Sequence, residues 1–231
     1  KGLNEPKIIT QERVSLKAAV QTLVNYAVGK DYDLIVAGSH GRKGLERLFL
    51  GSFTEELVLQ SKVPMLLIGH HAQVRSHNGP MHVLIPNDLR QPSSRFFKET
   101  IRWVKELSGR ITLTSVVTHP VEAVVQSGVF LLAGSWVPFP AYVESERSTR
   151  QKAAEEVTQH AKIQHVPCEW MIEDGTDPVA ESIVKRAKEG QIDLIAMAAE
   201  SGPVASALLG SVTRQVLRSA PCPVWIYRVH R

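Results

Sequence analysis

Asp33-Leu34-Ile35-Val36-Ala37-Gly38-Ser39-His40-Gly41, then Arg42 to Leu50, then Gly51-Ser52-Phe53-Thr54-Glu55-Glu56-Leu57-Val58-Leu59, is the stretch from which the rest of the chain can be read. Asp33 to Ala37 is a short apolar run ending in glycine, the pattern of a buried strand. Phe53 to Leu59 reads as a helix. Glycine at the end of a strand lets the backbone turn sharply and lets a ligand come close, because no Cβ stands in the way. A Gly-Ser pair opening a helix gathers free N–H groups, the positive end of the helix dipole and a hydroxyl in one place. That combination suits a phosphate. No Gly-Lys-Ser/Thr follows, and the glycines lack the G-x-G-x-x-G spacing, so this is neither a Walker loop nor a dinucleotide fingerprint.

The spacing G-x-x-G, nine residues, G-S resembles the ATP-binding loop of the universal stress protein family. The flanks match as well, with Asp33-Leu34-Ile35-Val36 before the loop and Pro64-Met65-Leu66-Leu67-Ile68 after the next helix. The resemblance implies an α/β fold, an open parallel five-stranded sheet with helices on both faces, of the adenine-nucleotide-binding, Rossmann-like kind. It implies that ATP or ADP, with or without Mg²⁺, is held by Gly38, Ser39, His40, Gly41, Arg42, Gly51, Ser52 and Phe53. Ser52 Oγ would donate to a phosphate oxygen. The plainer reading makes Ser52 an N-cap and the glycines turn formers.

A second copy of the pattern follows. Gly51-Ser52-Phe53-Thr54 returns as Gly210-Ser211-Val212-Thr213, Asp33-Leu34-Ile35 as Asp193-Leu194-Ile195, and Pro64 with its strand as Pro223-Val224-Trp225-Ile226-Tyr227. Self-similarity over such a distance means tandem copies of a domain. Residues 1–71 are expected to form the C-terminal half of a first domain, 72–80 a linker and 81–231 a complete second domain. Strands are expected at Met81–Pro86, Arg110–Val117, Val166–Ile172, Asp193–Met197 and Pro223–Tyr227. Helices alternate with them at Ser93–Ser108, Ser148–Ile163 and Thr176–Glu189, the last with Asp177-Pro178 as its cap and Gly190 as its stop. Strand and helix in alternation imply a parallel sheet covered on both faces. The first copy offers Lys7–Thr10 as a short strand, Ser15–Val28 as a helix with Leu16, Ala19, Val20, Leu23, Val24 and Ala27 inward, and the strands Asp33–Ala37 and Pro64–Ile68. Against the second copy it lacks roughly 80 residues at its front. The expectation is that these lie upstream in the intact gene product and carry a first-strand Asp that completes the nucleotide site.

In the second copy the loop has lost its glycines. Aligned from Asp193, Ala198 and Ser201 replace them; aligned from Gly210, Met197 and Glu200 do. Asp88 matches the family's first-strand Asp, yet Leu89-Arg90 replaces the small residues usual there. Asp88, Ala198, Ser201, Gly210 and Ser211 are therefore expected to form a degenerate second site. No G-x-S-x-G elbow and no H-E-x-x-H occurs, and nothing supplies a placed general base. The resemblance thus implies a nucleotide-binding stress-response regulator with no catalytic residues and at most slow ATP hydrolysis, rather than an enzyme. The alternative is a nucleotide-free interaction or scaffold protein of the same fold.

At 231 residues, with 43% hydrophobic and 22% charged content, the composition is that of a globular chain. The net charge of +4 is spread without a Lys/Arg block, which argues against nucleic acid as a partner. No apolar run reaches the roughly 18 residues of a membrane helix. A cytoplasmic location is expected. His70, His71, His77 and His82 read as solvated linker histidines; zinc would require three or four ligands converging. Cys222 reads as a small buried apolar residue. His119 to Val143 is an apolar connection that must be buried against its own domain, a subunit, a hydrophobic ligand or a membrane surface. The last strand of each copy, Pro64–Ile68 and Pro223–Tyr227, is an apolar edge that seeks a partner. A homodimer or an intramolecular domain pair is expected there.

Overall fold

Ser15, Ser93 and a series of hydrophobic stripes decide where the helices lie. The structure is a computed structural model and describes residues 10, 15–38, 52–73, 79–90, 93–118, 139–175, 177–201 and 209–230. Ser15 Oγ accepts the Ala18 N–H at 3.3 Å and starts α1 (Leu16–Gly29). Ser93 Oγ does the same for Phe96 N–H at the start of α3 (Ser94–Glu106). Both are N-caps that satisfy an otherwise orphaned donor. The remaining helices are α2 (Ser52–Gln60), α4 (Phe139–Ile163), α5 (Val179–Glu189) and α6 (Ser211–Ser219). The strands are β1 (Ile35–Gly38), β2 (Met65–Ile68), β3 (His82–Pro86), β4 (Arg110–Thr118), β5 (Cys168–Gly175), β6 (Leu194–Ser201) and β7 (Val224–His230). The expected strand at Lys7–Thr10 falls mainly outside the described residues, as do residues 119–138 of the apolar connection.

The strands form one sheet in the order β1-β2-β7-β6-β3-β4-β5. Strands β3 to β7 are mutually parallel and make the five-stranded sheet expected of the second copy. Strands β1 and β2 are parallel to each other, and β2 joins β7 antiparallel, with Met65 opposite Ile226, Leu66 opposite Trp225 and Leu67 opposite Val224. The two edges that the sequence leaves open thus close on each other within the chain.

Alternate side chains along each strand feed two cores. One face carries Ile35, Met65, Leu67, Leu84, Ile195, Val224 and Ile226 under α1, α2, α5 and α6. The other carries Val83, Ile85, Leu194, Ala196, Trp225 and Tyr227 under α3 and α4. Trp225 stacks on Trp103 with ring centres 5.8 Å apart and on Phe96 at 6.0 Å, so an aromatic cluster covers β7 beside the β2 joint. Val36, on the sheet face opposite α1 and α2, is 59% exposed.

Several helix ends differ from expectation. α4 begins at Phe139, nine residues earlier than the reading from Ser148. Its Pro140 falls in the first turn, where the missing N–H is no loss. α5 begins after Pro178, which makes no side-chain cap, so Asp177 does not cap it. Leu16 and Leu107 lie at helix termini and are largely exposed, although both belong to apolar stripes. Gly190 ends α5, yet with φ of −78°, and the left-handed residue is Gln191 at φ 49°. Asp31, Ser108 and His165 repeat this after α1, α3 and α4. In each case the left-handed residue donates to a carbonyl three back and its successor to one five back, as in Gln191 to Lys188 and Ile192 to Ala187. These are Schellman caps built without glycine at the left-handed position.

His82 is not a linker histidine. It lies in β3 with 8% exposure, and its Nε2 is 2.8 Å from Thr112 Oγ1, which in turn donates to Glu169 at 2.8 Å. Its Nδ1 is buried and makes no well-formed hydrogen bond among the described residues, although the Gly190 backbone nearby favours the protonated ring. Burial, then the charge of Arg110, holds the imidazole pKa below its ordinary value. Cys222 is buried, in agreement with its reading as a core residue.

Candidate functional site

The two loop regions lie at the C-terminal ends of strands, where an open α/β sheet presents its ligand crevice. In the first, Gly38 is the last residue of β1 and Ser52 the first of α2. Both are exposed, and Phe53 is 38% exposed. Ser39, His40, Gly41, Arg42 and Gly51 lie outside the described residues. Helix α2 is held by its apolar face, Leu57 and Val58, which leaves its N-terminal turn at the rim. Glu55 in that turn pairs with Arg214 of α6 at 2.7 Å, so the opening turns of the two equivalent helices are tied together.

The second region is described up to Ser201 and again from Leu209. Without glycine to turn the chain, β6 runs on through Ala198, Ala199, Glu200 and Ser201, in register with Tyr227, Arg228, Val229 and His230 of β7. Ala198 and Ser201 are therefore ladder positions, as Gly38 opposite Ile68 is in the first copy. Gly210 is the N-cap of α6 and supplies no side-chain cap; Ser211 is exposed at the first helical position. A Cβ built on Gly210 would meet only Thr213 Oγ1, at 3.9 Å.

A cleft of ≈ 360 Å³ remains between β3 and β6, where the direction of strand succession reverses. Asp88, Arg90 and Arg150 line it, with Val116, Ile183, Met197 and Val212 among its apolar walls. Asp88 Oδ1 accepts the Arg90 N–H at 3.2 Å, and Asn87 Oδ1 accepts the Leu89 N–H at 2.8 Å. This pair of turns holds Leu89 at φ 56°, a strained value for leucine, with its side chain fully buried. Arg150 is 3% exposed; its Nη1 donates to the Val116 carbonyl at 2.5 Å and its Nη2 to Glu146 at 3.2 Å. Arg90 Nε reaches the same Glu146 oxygen at 2.9 Å. Burial is the chief cause that lowers the Arg150 pKa, opposed by Glu146 and reinforced by Arg90. Asp88 is thus present as expected, at the edge of a cluster of two guanidinium groups sharing one carboxylate.

Sequence reasoning missed Arg90, Glu146 and Arg150 as a unit. A signal for Arg150 exists: it precedes Ala154, Val157 and Ala161 by four, seven and eleven positions, so it falls on the buried stripe of α4. Among the described residues no three His, Cys, Asp or Glu side chains converge to hold a metal. Among them, too, no helix is long and apolar enough to cross a membrane.

A sheet wound in both directions from β3, with its crevice at the reversal, defines a doubly wound α/β protein. The model of the universal stress protein family matches residues 1–69 and 81–228, and the chain belongs to that family. Its structure is similar to a universal stress protein from Archaeoglobus fulgidus, with a TM-score of 0.59 and 21% identity over 90% of this chain. The chain spans 64% of that protein's length. A putative universal stress protein from Pseudomonas aeruginosa gives a TM-score of 0.59 at 13% identity, over 90% of this chain and 68% of its own. At these identities the likeness is one of fold. No curated protein matches the chain.

Proposed function

We propose that this stress-response protein binds ATP or ADP at the first loop, Gly38 to Ser52, and that the second loop does not. The observation that carries the reading is the contrast between the copies. In the second, where side chains replace glycine, the strand continues as a ladder to Ser201. In the first, Gly38 of β1 and Ser52 of α2 are both exposed, and they stand at the two ends of the G-x-x-G-x9-G-S string. Ser39, His40, Gly41, Arg42, Gly51 and Phe53 would complete the cradle, with Ser52 Oγ donating to a phosphate oxygen. No general base is assigned, so the protein would sense nucleotide rather than turn it over, with hydrolysis slow at most.

Mass spectrometry of ligand released from the purified full chain, together with ATP titration, tests this. Gly51→Leu removes backbone access and is expected to abolish binding. Gly210→Leu is expected to leave it unchanged, since the space around Gly210 is open. Equal loss from both substitutions would refute the asymmetry. The second reading, a nucleotide-free interaction protein, draws on the Arg90–Glu146–Arg150 cluster in the second cleft. It would prevail if neither ATP nor ADP binds.

A further inference from the structure

The first segment repeats the second nearly residue for residue. Asp31 at φ 52° matches Gln191 at φ 49°. Tyr32 donates to the Ala27 carbonyl as Ile192 does to that of Ala187, both at 3.0 Å. Ile35 donates to Pro64 as Ile195 does to Pro223, again both at 3.0 Å. α1, β1 and β2 therefore correspond to α5, β6 and β7. On one sheet face the copies also agree in burial: Ile35, Met65 and Leu67 are inside, as are Ile195, Val224 and Ile226. On the other face they part. Leu194 and Ala196 are 3% and 0% exposed beneath α3 and α4, whereas their counterparts Leu34 and Val36 are 36% and 59% exposed.

The edges differ in the same sense. β6 has β3 on its far side, with Val83 opposite Leu194 and Leu84 opposite Ile195. Asp193 fixes that pairing: its carboxylate accepts the His82 N–H at 2.8 Å, and its own N–H donates to the His82 carbonyl at 2.9 Å. Asp33 occupies the same place before β1 and is exposed. Among the described residues β1 ends the sheet. Neighbouring residues of a parallel strand bond to opposite sides, so Ile35, bonded to Pro64, leaves Leu34 and Val36 to bond outward. Edge strands are ordinarily blunted by lysine, proline or a bulge; Ile35-Val36-Ala37-Gly38, in unbroken register with β2, has none of these. Leu66, opposite Val36, packs on the cluster that contains Trp225, so the uncovered patch is continuous with the core at the joint.

We propose that β1 accepts a strand from another polypeptide, which adds in parallel and lays the amphipathic helix that follows it over Leu34, Val36 and Leu66. The template is β3 with α3, as they stand on β6. In the matching register the first N–H of the incoming strand bonds to the Asp33 carboxylate, and its next two residues lie opposite Leu34 and Ile35. A second copy of this chain is not the donor, because its own β3 is enclosed between β4 and β6. In such strand addition main-chain bonds supply affinity, and alternate side chains supply selectivity.

The probe is a dye-labelled synthetic peptide of residues 81–107, which carries that strand and helix chemistry, titrated into the full chain by fluorescence polarisation. Binding is expected, with slowed amide hydrogen exchange at Leu34 and Val36. Val36→Lys is expected to weaken binding by at least about tenfold while leaving the melting temperature of the free chain nearly unchanged. Asp33→Ala should weaken it about tenfold through the lost charge-assisted bond. A peptide carrying both Val83→Pro and Leu84→Pro lacks ladder N–H groups and should not bind. Gly51→Leu should leave docking unchanged, so failure here is separable from failure of the nucleotide reading. No binding of the peptide overturns the proposal. So does binding that Val36→Lys leaves intact, which would place the peptide elsewhere. A large fall in the melting temperature of Val36→Lys overturns it too, since the chain itself would then already cover this face. A free chain that is dimeric in light scattering and made monomeric by Val36→Lys would put a second copy there, against the proposal.

Discussion

At the scale of single residues the informative ones are polar groups in unexpected places. His82 came from a stretch of four histidines that reads as a linker, and the first three do lie before β3. What the sequence does not display is that β3 is flanked on both sides, by β4 and β6, so its opening residue is already inside. The imidazole faces Arg110 and Glu169 from neighbouring strands and Asp193 from the turn before β6, and burial outweighs both acids. Its folded-state pKa is therefore depressed, while in the unfolded chain it is near the ordinary 6.5. As the pH falls through that ordinary value the unfolded state takes up a proton that the native state refuses, so this histidine's contribution is present above it and is lost on acidification. His82→Gln keeps a hydrogen-bonding partner for Thr112 and cannot titrate. The expected result is that wild type loses more stability than His82→Gln between neutral and mildly acidic pH, measured by denaturant unfolding at each pH. Parallel losses in the two proteins would show that His82 is protonated equally in both states. Arg150 makes the complementary point: a charge on a buried stripe is legible as an oddity, but its partners, Glu146 and Arg90, are fixed only by the fold.

Among elements, strands were more legible than helix ends. Each of the five strands expected from Met81 onward is present, because continuous apolar sequence bounded by turns has few alternatives in a sheet covered on both faces. β6 and β7 ran longer than their apolar cores because a parallel neighbour goes on supplying backbone partners. The stop of α5 reads from Gly190, but the left-handed position falls on Gln191, as it does on Asp31, Ser108 and His165 after α1, α3 and α4. Glycine serves elsewhere in these caps. A Cβ on Gly109, the residue after Ser108, would come within 2.8 Å of the Met81 carbonyl, so its absence allows β3 to pass close by. Left-handed backbone costs a side chain about 1–2 kcal/mol. His165 is exposed, and His165→Gly is therefore expected to stabilise the protein by about 0.5–1 kcal/mol, after allowing for glycine's greater unfolded-state freedom. Lys152→Gly, in the middle of α4 and equally exposed, is expected to destabilise by about 1 kcal/mol. Opposite signs in thermal unfolding support the assignment, and destabilisation by both would contradict it. The loop itself shows the limit of reading elements from motifs. The missing glycines of the second copy are legible in the sequence, yet the extra length of β6 depends on β7 lying alongside.

For the whole molecule, the consequence lies in the antiparallel joint between β2 and β7. The sequence supplies two apolar edges, and the geometry satisfies each with the other. The core beneath is shared as well: Leu57 and Val58 of α2 belong to one cluster with Ile183, Val216 and Ile226 of the second segment. Glu55 and Arg214 cross the same boundary, but that pair is partly exposed and is worth no more than about 1 kcal/mol. Apolar contact is therefore the main coupling between the segments. All four tryptophans, at positions 103, 136, 170 and 225, lie in the second segment, so tryptophan fluorescence reports mainly on that half, with Trp225 also placed at the joint opposite Leu66. If the halves fold as one unit, a cavity made in the first must be felt in the second. Leu57 is completely buried, and Leu57→Ala should cost about 2–5 kcal/mol. In guanidinium titrations the tryptophan-detected midpoint of Leu57→Ala is expected to fall together with the far-ultraviolet circular dichroism midpoint, with the two curves superimposable in both wild type and variant. A variant whose tryptophan transition stays at the wild-type midpoint while part of its helical signal is lost earlier would mean that the first segment unfolds independently. The shared sheet would then be a docking of two separately stable parts and not a single cooperative core.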